Sequence, residues 1–366
     1  MNMKANHAPK ATIICDMQFG STGKGLFAGY AAHRDKPDVV MTSWMPNSGH
    51  TFVDSDGRKY VHTALANGVV SPNLRTVLIG PGSVVDIDAL AAEAANCADH
   101  LENARIWIHE NATILSKDHK EAEAGGAKVS IGSTRKGSGA AMQQKIERDP
   151  KIPVTAKQHE DMGTGALDKL PECAEVITHI DYMDEVMRAE RIQIEGAQGY
   201  SLGVNSGFYP YTTSRECTPT QIMSDTLLPA DYLNKVIGVA RTFPIRVANR
   251  YDDEGRMIGW SGPVYPDQRE LDWEDLGMEP ELTTVTQLPR RLFTFSRYQT
   301  GDAIVGIRPD EIALNFAQYL ELPQSKEMGL SLDAVHEIIE TCCETYGTGK
   351  LAYLGWGPKE SDIEVL

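Results

Sequence analysis

A chain of 366 residues, 41% of them hydrophobic, is long enough to bury one large α/β core. No apolar run approaches the roughly 18 residues of a membrane span, and the polar stretch Met1–Lys10 lacks the apolar centre of a secretory leader. A net charge of −16 argues against broad binding to duplex nucleic acid, although a local cluster of cations still suits a nucleotide, and six scattered cysteines without metal-type spacing fit a reducing cytoplasm.

The apolar run Ala11–Cys15 predicts a first strand. Gly20-Ser21-Thr22-Gly23-Lys24-Gly25 follows it, and a helix-like stretch runs on to Ala32. Strand, glycine-rich turn with one lysine, and helix start together make a phosphate cradle, because backbone N–H groups at such a turn point at an anion. The spacing is not that of the Walker A loop, and a plain tight turn is the competing reading. Val39–Trp44 predicts a second strand, followed by Asn47-Ser48-Gly49-His50-Thr51. His50–Asp54 and Tyr60–Ala64 flank Ser55-Asp56-Gly57, a hairpin signal.

Further strands are predicted over Thr76–Ile79, Ile106–Ile108, Ile192–Glu195, Val236–Ala240, Glu311–Phe316 and Leu351–Leu354. Helices are predicted over Val85–His100, Ala174–Arg191 and Leu332–Tyr346. The alternation argues for a single α/β domain over residues 1–366, with a mostly parallel central sheet flanked by helices and ligands at the carboxyl ends of its strands. Ser116–Asp149, rich in Gly, Ser and Lys, reads as a segment able to order over a phosphate. Arg250–Gly262 reads as a polar surface excursion.

Five motifs in order resemble the adenylosuccinate synthetase family, whose loops read Gly-Asp-Glu-Gly-Lys-Gly and Asn-Ala-Gly-His-Thr. They are the two loops above, Ile131-Gly132-Ser133-Thr134 with Lys145-Ile146-Glu147-Arg148, Glu195-Gly196-Ala197-Gln198-Gly199, and Tyr209-Pro210-Tyr211-Thr212-Thr213-Ser214. Thr284-Val285-Thr286 with Arg290-Arg291 is a weaker match, and Gly357-Pro358 a looser echo. The resemblance implies a P-loop-like fold, a homodimer and Mg²⁺. It also implies a ligase that phosphorylates a purine 6-oxo group and then displaces the phosphate with the aspartate amine. It places Ser21, Lys24 and His50 in catalysis, with Gly23, Lys24, Gly25, Gly49, His50, Thr51, Asn315, Gly357 and Pro358 around the triphosphate. Asn47, Ser133, Thr134, Gln198 and Thr213 are expected on the nucleotide monophosphate, with Arg148 reaching it from the other subunit. Thr284, Val285, Thr286, Arg290 and Arg291 are expected on aspartate, and the Gly49 carbonyl and Ser21 on the metal.

Three departures from the family pattern are informative. Ser21 stands where the family has the aspartate that takes the purine N1 proton and ligates Mg²⁺. A serine lacks that basicity, but it leaves room for the 2-amino group of a guanine and can accept from it. In Leu314-Asn315-Phe316-Ala317, alanine replaces the aspartate that reads the guanine of GTP, which favours ATP or dATP. Leu288 replaces an arginine near the ribose, compatible with a deoxyribose. The pattern resembles the phage branch of the family, which joins dGMP and L-aspartate using ATP or dATP on the way to diaminopurine DNA. An ordinary synthetase using IMP and GTP, and a nucleotide-binding regulatory pseudoenzyme, are the alternatives.

Overall fold

The computed structural model describes residues 10–124, 134–283 and 287–366. A ten-stranded sheet runs through the molecule. From one edge its order is Ile363–Val365, Leu351–Gly355, Glu311–Asn315, Leu233–Arg241, β1 (Ala11–Asp16), Ile192–Glu195, β2 (Val39–Thr42), Thr76–Ile79, Arg105–His109 and Ala174–Ile177. Every neighbouring pair is parallel except Leu351–Gly355 with the antiparallel edge strand Ile363–Val365.

Parallel strands covered on both faces are apolar nearly throughout, and β2, Thr76–Ile79 and Ile192–Glu195 are buried at every position. Alternation then divides β1 between two cores. Ile14 packs with Phe27, Ala28 and Ala31 of helix α1 (Lys24–Asp35) on one face. Ile13 faces the other core, where Tyr182, Val186, Ile304, Ile307 and Ile339 are buried. Between β2 and Thr76–Ile79 the expected hairpin forms, with β3 (His50–Val53) pairing antiparallel to β4 (Lys59–His62). Among the described residues no helix is long and apolar enough to cross a membrane.

The boundaries differ where local capping or pairing overrides the helical pattern. Ala174–Arg191 is not one helix. Ala174–Ile177 pairs as an edge strand with Ile106–His109, and the helix His179–Arg188 begins only after Thr178, whose hydroxyl accepts from the Asp181 N–H at 3.2 Å. Val85 belongs to a two-residue strand, and the helix beyond it is interrupted at Cys97 into Ile87–Asn96 and Ala98–Leu101. Ser116–Asp149 carries two helices, Lys117–Ala124 and Ser138–Glu147. The Glu123 carboxylate accepts the Gly137 and Ala140 N–H groups at 2.8 and 3.0 Å, bracing the second helix start against the first helix. Within Arg250–Gly262, Arg250–Tyr251 and Met257–Gly259 form a small antiparallel hairpin.

Candidate active site

The site is built at the carboxyl ends of β1 and its neighbours. β1 ends in Asp16, a buried carboxylate facing the loop that follows it. It accepts from the N–H groups of Gln18 at 2.9 Å, Gly20 at 3.2 Å and Thr22 at 3.3 Å, and from the Thr22 hydroxyl at 2.6 Å. Burial raises the Asp16 pKa, while Lys24 and these donors pull it back. The loop is thus wound around its own carboxylate. Its head carries Ser21, with an exposed side chain and a left-handed backbone, φ 56°. Gly23, φ 78°, precedes the first turn of α1. A Cβ there would lie 2.2 Å from Asn315 Nδ2, so only glycine fits. Lys24 is buried at the helix start, where unpaired N–H groups and the helix dipole favour an anion.

His50, at the start of β3, lies flat on Trp44, with ring centroids 3.7 Å apart and planes 9° apart. Its Nδ1 is 3.0 Å from Glu195 Oε1, and its Nε2 is 3.2 Å from Ser48 Oγ. Both members of the His50–Glu195 pair are 1% exposed at the side chain. Glu195 also accepts from the Asn67 N–H at 3.0 Å and the Asn67 side-chain amide at 3.2 Å. Burial opposes ionisation of Glu195, but the His50 hydrogen bond, Lys24 and the Asn67 donors together hold its pKa below the ordinary range. Burial, then the Lys24 charge, lowers the His50 pKa to about 4 against the pull of Glu195. The pair is therefore a carboxylate accepting from Nδ1–H of a neutral imidazole.

Two further strands lock the loop from the other side. Arg241, wholly buried, donates to the Ser21 carbonyl at 3.0 Å and to both Glu281 oxygens at 3.2 and 2.5 Å, and its guanidinium lies 4.0 Å from the Phe316 ring centroid. Asn315, its register partner on the next strand, donates to the Thr22 carbonyl at 3.1 Å. The same side chain closes on Gly355, where a Cβ would meet Asn315 Oδ1 at 2.2 Å. Asn315 thus clamps the phosphate loop, and Ala317 beyond it is fully buried.

The other expected site residues are distributed as follows. Asn47 Oδ1 and Gln198 Nε2 are buried polar atoms with no hydrogen-bond partner, and Gln198 has φ 60°. Thr213 is half-buried, with its N–H on the Leu202 carbonyl at 2.8 Å. Gly49 and the Thr51 side chain are exposed, and the Thr51 backbone abuts Gly25, where a Cβ would lie 2.6 Å from the Thr51 carbonyl. Gly357 lies against Asp362, and Pro358 is exposed. Thr134 is half-buried ahead of the helix Ser138–Glu147, and Arg148, φ 55°, is exposed at that helix's end with Nε on the Ile146 carbonyl at 3.3 Å.

In the segment expected to take aspartate, Leu282 bridges to Pro289, and the Arg290 N–H donates to the Glu281 carbonyl at 2.9 Å, so the stem is closed. Burial lowers the Arg290 pKa against the pull of Glu281. Arg291 is paired to Glu270 through two contacts of 2.7 Å and donates to Ser261 and Gly262. Ser133, Thr284, Val285 and Thr286 lie outside the described residues.

Asp16, Trp44, Asn67, Glu195 and Arg241 organise the site, and sequence reasoning assigned none of them a role. Glu195 opens a motif that was already in view, and a carboxylate ending a strand buried at every position was a signal. Asn67 and Arg241 carry no such local mark, since their partners lie 128 and 220 residues away in the chain.

A phosphate loop set against a buried His–Glu pair, at the carboxyl ends of a doubly covered parallel sheet, defines a nucleotide-handling α/β enzyme. A family profile, adenylosuccinate synthetase, matches residues 13–170 and 164–251. The chain is 52% identical over 367 residues to N6-succino-2-amino-2'-deoxyadenylate synthase of Salmonella phage PMBT28, covering 98% of each chain. It is 50% identical to the enzyme of that name from Acinetobacter phage SH-Ab 15497, covering 97% of this chain and 93% of the relative. Among solved structures, succinoaminodeoxyadenylate synthetase of cyanophage S-2L, bound to dGMP and to dATP as an energy donor, superposes with a TM-score of 0.85 at 40% identity, over 98% of this chain and 95% of that one. This chain belongs to the adenylosuccinate synthetase family, a family of carbon–nitrogen ligases.

Proposed function

We propose that this enzyme joins L-aspartate to the 6-position of dGMP with ATP or dATP, giving N6-succino-2-amino-2'-deoxyadenylate. The observation that carries the choice of purine is Ser21. The head of the phosphate loop presents a small hydroxyl, while the loop's one carboxylate, Asp16, is turned inward and saturated by donors. Nothing anionic on that loop then crowds a purine 2-amino group, and the hydroxyl can accept from it.

In the first step the purine 6-oxygen attacks the γ-phosphorus. The new O–P bond forms as the bond to the bridging oxygen breaks and the nucleoside diphosphate leaves. The N–H groups at the start of α1 and the Lys24 ammonium hold the phosphoryl group. His50, with Nδ1–H committed to Glu195, presents Nε2 to the reacting oxygen. The N1 proton, taken at that neutral Nε2, makes an imidazolium balanced by Glu195 and passes to the departing phosphate in the second step. In the second step the aspartate amine attacks C6 and inorganic phosphate departs. The orphaned Asn47 Oδ1 and Gln198 Nε2 are polar atoms available to the nucleotide, with Thr134 and Thr213 nearby in the motif set. Arg290, with the segment Thr284–Thr286, would receive aspartate carboxylates.

Mg²⁺ fits the available donors, which are hard, neutral oxygens, namely the exposed Gly49 carbonyl and the Ser21 hydroxyl, with the remaining ligands coming from phosphate and water. When bound, the ion would neutralise phosphate charge. The active unit in this reading is a cytoplasmic two-fold dimer in which Arg148 reaches the partner's nucleotide.

The test is turnover with aspartate and Mg²⁺ for each pairing of dGMP or IMP with ATP, dATP or GTP. Preference for dGMP with an adenine nucleotide is expected. Equal or better kcat/KM for IMP, or preference for GTP, overturns the reading, and no turnover with any pairing would mark a nucleotide-binding pseudoenzyme.

A further inference from the structure

Behind His50 and Glu195 lies a second layer of buried polar groups that the reaction as described does not use. Asn67 is fully buried at the start of the turn Asn67–Val70. It gives Glu195 two separate donors, its backbone N–H at 3.0 Å and its side-chain amide at 3.2 Å. The chain just before it is fixed by another buried carboxylate. Glu93 accepts from the N–H groups of Thr63, Ala64 and Leu65 at 2.6, 2.9 and 2.8 Å and from the Thr63 hydroxyl at 2.7 Å.

The Asn67 amide is also wedged against the phosphate helix, since a Cβ on Gly25 would lie 2.7 Å from Asn67 Nδ2. Its remaining atom, Oδ1, is buried without a conventional hydrogen bond, and so is Nδ1 of His62. The Asn67 side chain lies beside the His62 ring. The far side of that ring is occupied by Cys97, with Sγ 3.3 Å from Nε2. With Cys97 S–H donating to His62 Nε2, the ring carries its proton on Nδ1. The contact with Glu195 orients the Asn67 amide with its nitrogen toward that carboxylate.

We propose that Asn67, packed beside His62, is a positioning residue for His50: it supplies Glu195 with donors, commits that carboxylate to accepting, and so pins His50 in the tautomer with the proton on Nδ1 and Nε2 turned to Ser48. Asn67 touches no reacting atom. It acts through Glu195, and its effect belongs to kcat rather than to binding. The inference rests on His50 facing the purine oxygen, as proposed above.

The test uses the full-length enzyme and the Asn67→Ala, Asn67→Ser and His62→Gln variants. Three quantities are measured: kcat with dGMP, ATP and aspartate, the dissociation constants of dGMP and ATP by calorimetry, and the side-chain ¹⁵N shifts of His50 in the free enzyme. For Asn67→Ala, kcat should fall about 10- to 100-fold with dissociation constants within about threefold of wild type. The ¹⁵N shifts should move from a single Nδ1–H form to a mixture of tautomers. Asn67→Ser retains a donor and should recover much of the loss. His62→Gln keeps Asn67 in place and should show a smaller change in the same direction, which serves if Asn67→Ala does not fold. A folded Asn67→Ala or His62→Gln enzyme with unaltered kcat and unaltered His50 shifts overturns the proposal, as does a loss confined to binding. The ¹⁵N measurement needs no substrate, so failure of wild type to use dGMP would sink the substrate assignment while leaving this test intact.

Discussion

Ser21 and Asp16 divide between them two jobs that one carboxylate could have shared. Asp16 shapes the loop from inside, and Ser21 meets the solvent from its head. Substituting Ser21→Asp should therefore leave the fold unchanged and lower kcat/KM for dGMP by about 10- to 100-fold, because the longer anion crowds the 2-amino group. Steady-state kinetics with dGMP and with IMP checks this, and full activity of the variant on dGMP would refute the crowding argument. The identity of position 21 was readable from a single letter once the loop was placed. The partners of His50 were not, since Trp44 stacking and the Glu195 contact arise only when β2, β3 and the strand Ile192–Glu195 come together. Sequence order cannot display a hydrogen bond spanning 145 residues.

At the scale of elements, the parallel strands were legible because buried β segments are continuous apolar runs, and Thr76–Ile79 and Ile192–Glu195 have the bounds that the pattern predicts. The edge strand Ala174–Ile177 was not, because its half-exposed residues fit a helical period as well as a strand, and only pairing with Ile106–His109 decides between them. The loops are tied to one another by single buried side chains. Arg241 joins the phosphate loop to the stem of the segment proposed to take aspartate, so Arg241→Met should loosen both. We expect a destabilisation of about 3 kcal/mol from stranding Glu281 and the Ser21 carbonyl, discounted from the fully buried case because Glu281 is partly exposed. The KM for aspartate should rise as well. Thermal unfolding and kinetics check the two halves separately, and an intact Tm with normal kinetics would show that Arg241 is dispensable. Gly23→Ala, forced against Asn315 and into φ 78°, should abolish ATP binding measured by calorimetry.

Across the whole molecule, burial holds three histidines, His50, His62 and His109, neutral in the fold, each lowered to about 4. In the unfolded chain they titrate near 6.5, so below that pH the unfolded state binds protons the native state refuses. Their stabilisation is complete above about pH 6.5 and is lost as pH falls toward 4, at up to about 1.4 kcal/mol per pH unit for each histidine. Asp16, Glu93 and Asp225, raised by burial, work in the opposite direction. The contribution of one histidine is therefore best isolated by difference. His109, which makes no contact with His50 or Glu195 and accepts at Nδ1 from the Asn111 N–H at 3.0 Å, is the one to change. His109→Gln should flatten the decline of stability between pH 6.5 and 5 relative to wild type, and parallel denaturant titrations with identical slopes would contradict this.

A second expectation at this scale concerns shared sites. Arg148→Ala and Lys24→Ala homodimers should each be nearly inactive, whereas a co-expressed mixture should recover about a quarter of wild-type activity through dimers with one intact site. Verified mixed dimers without recovery would remove Arg148 from the site.

The left-handed backbone at Ser21 carries one more consequence. A residue held at φ 56° disfavours β-branched replacements, whereas unbranched side chains such as Gln198 and Arg148 hold that conformation elsewhere in this fold, and glycine, asparagine and aspartate take it most readily. Threonine, valine or isoleucine, branched at Cβ, would be strained by the backbone before it met a nucleotide. Whatever purines this scaffold can be made to discriminate by changes at position 21, the torsion angle there has already struck the β-branched side chains from the choice.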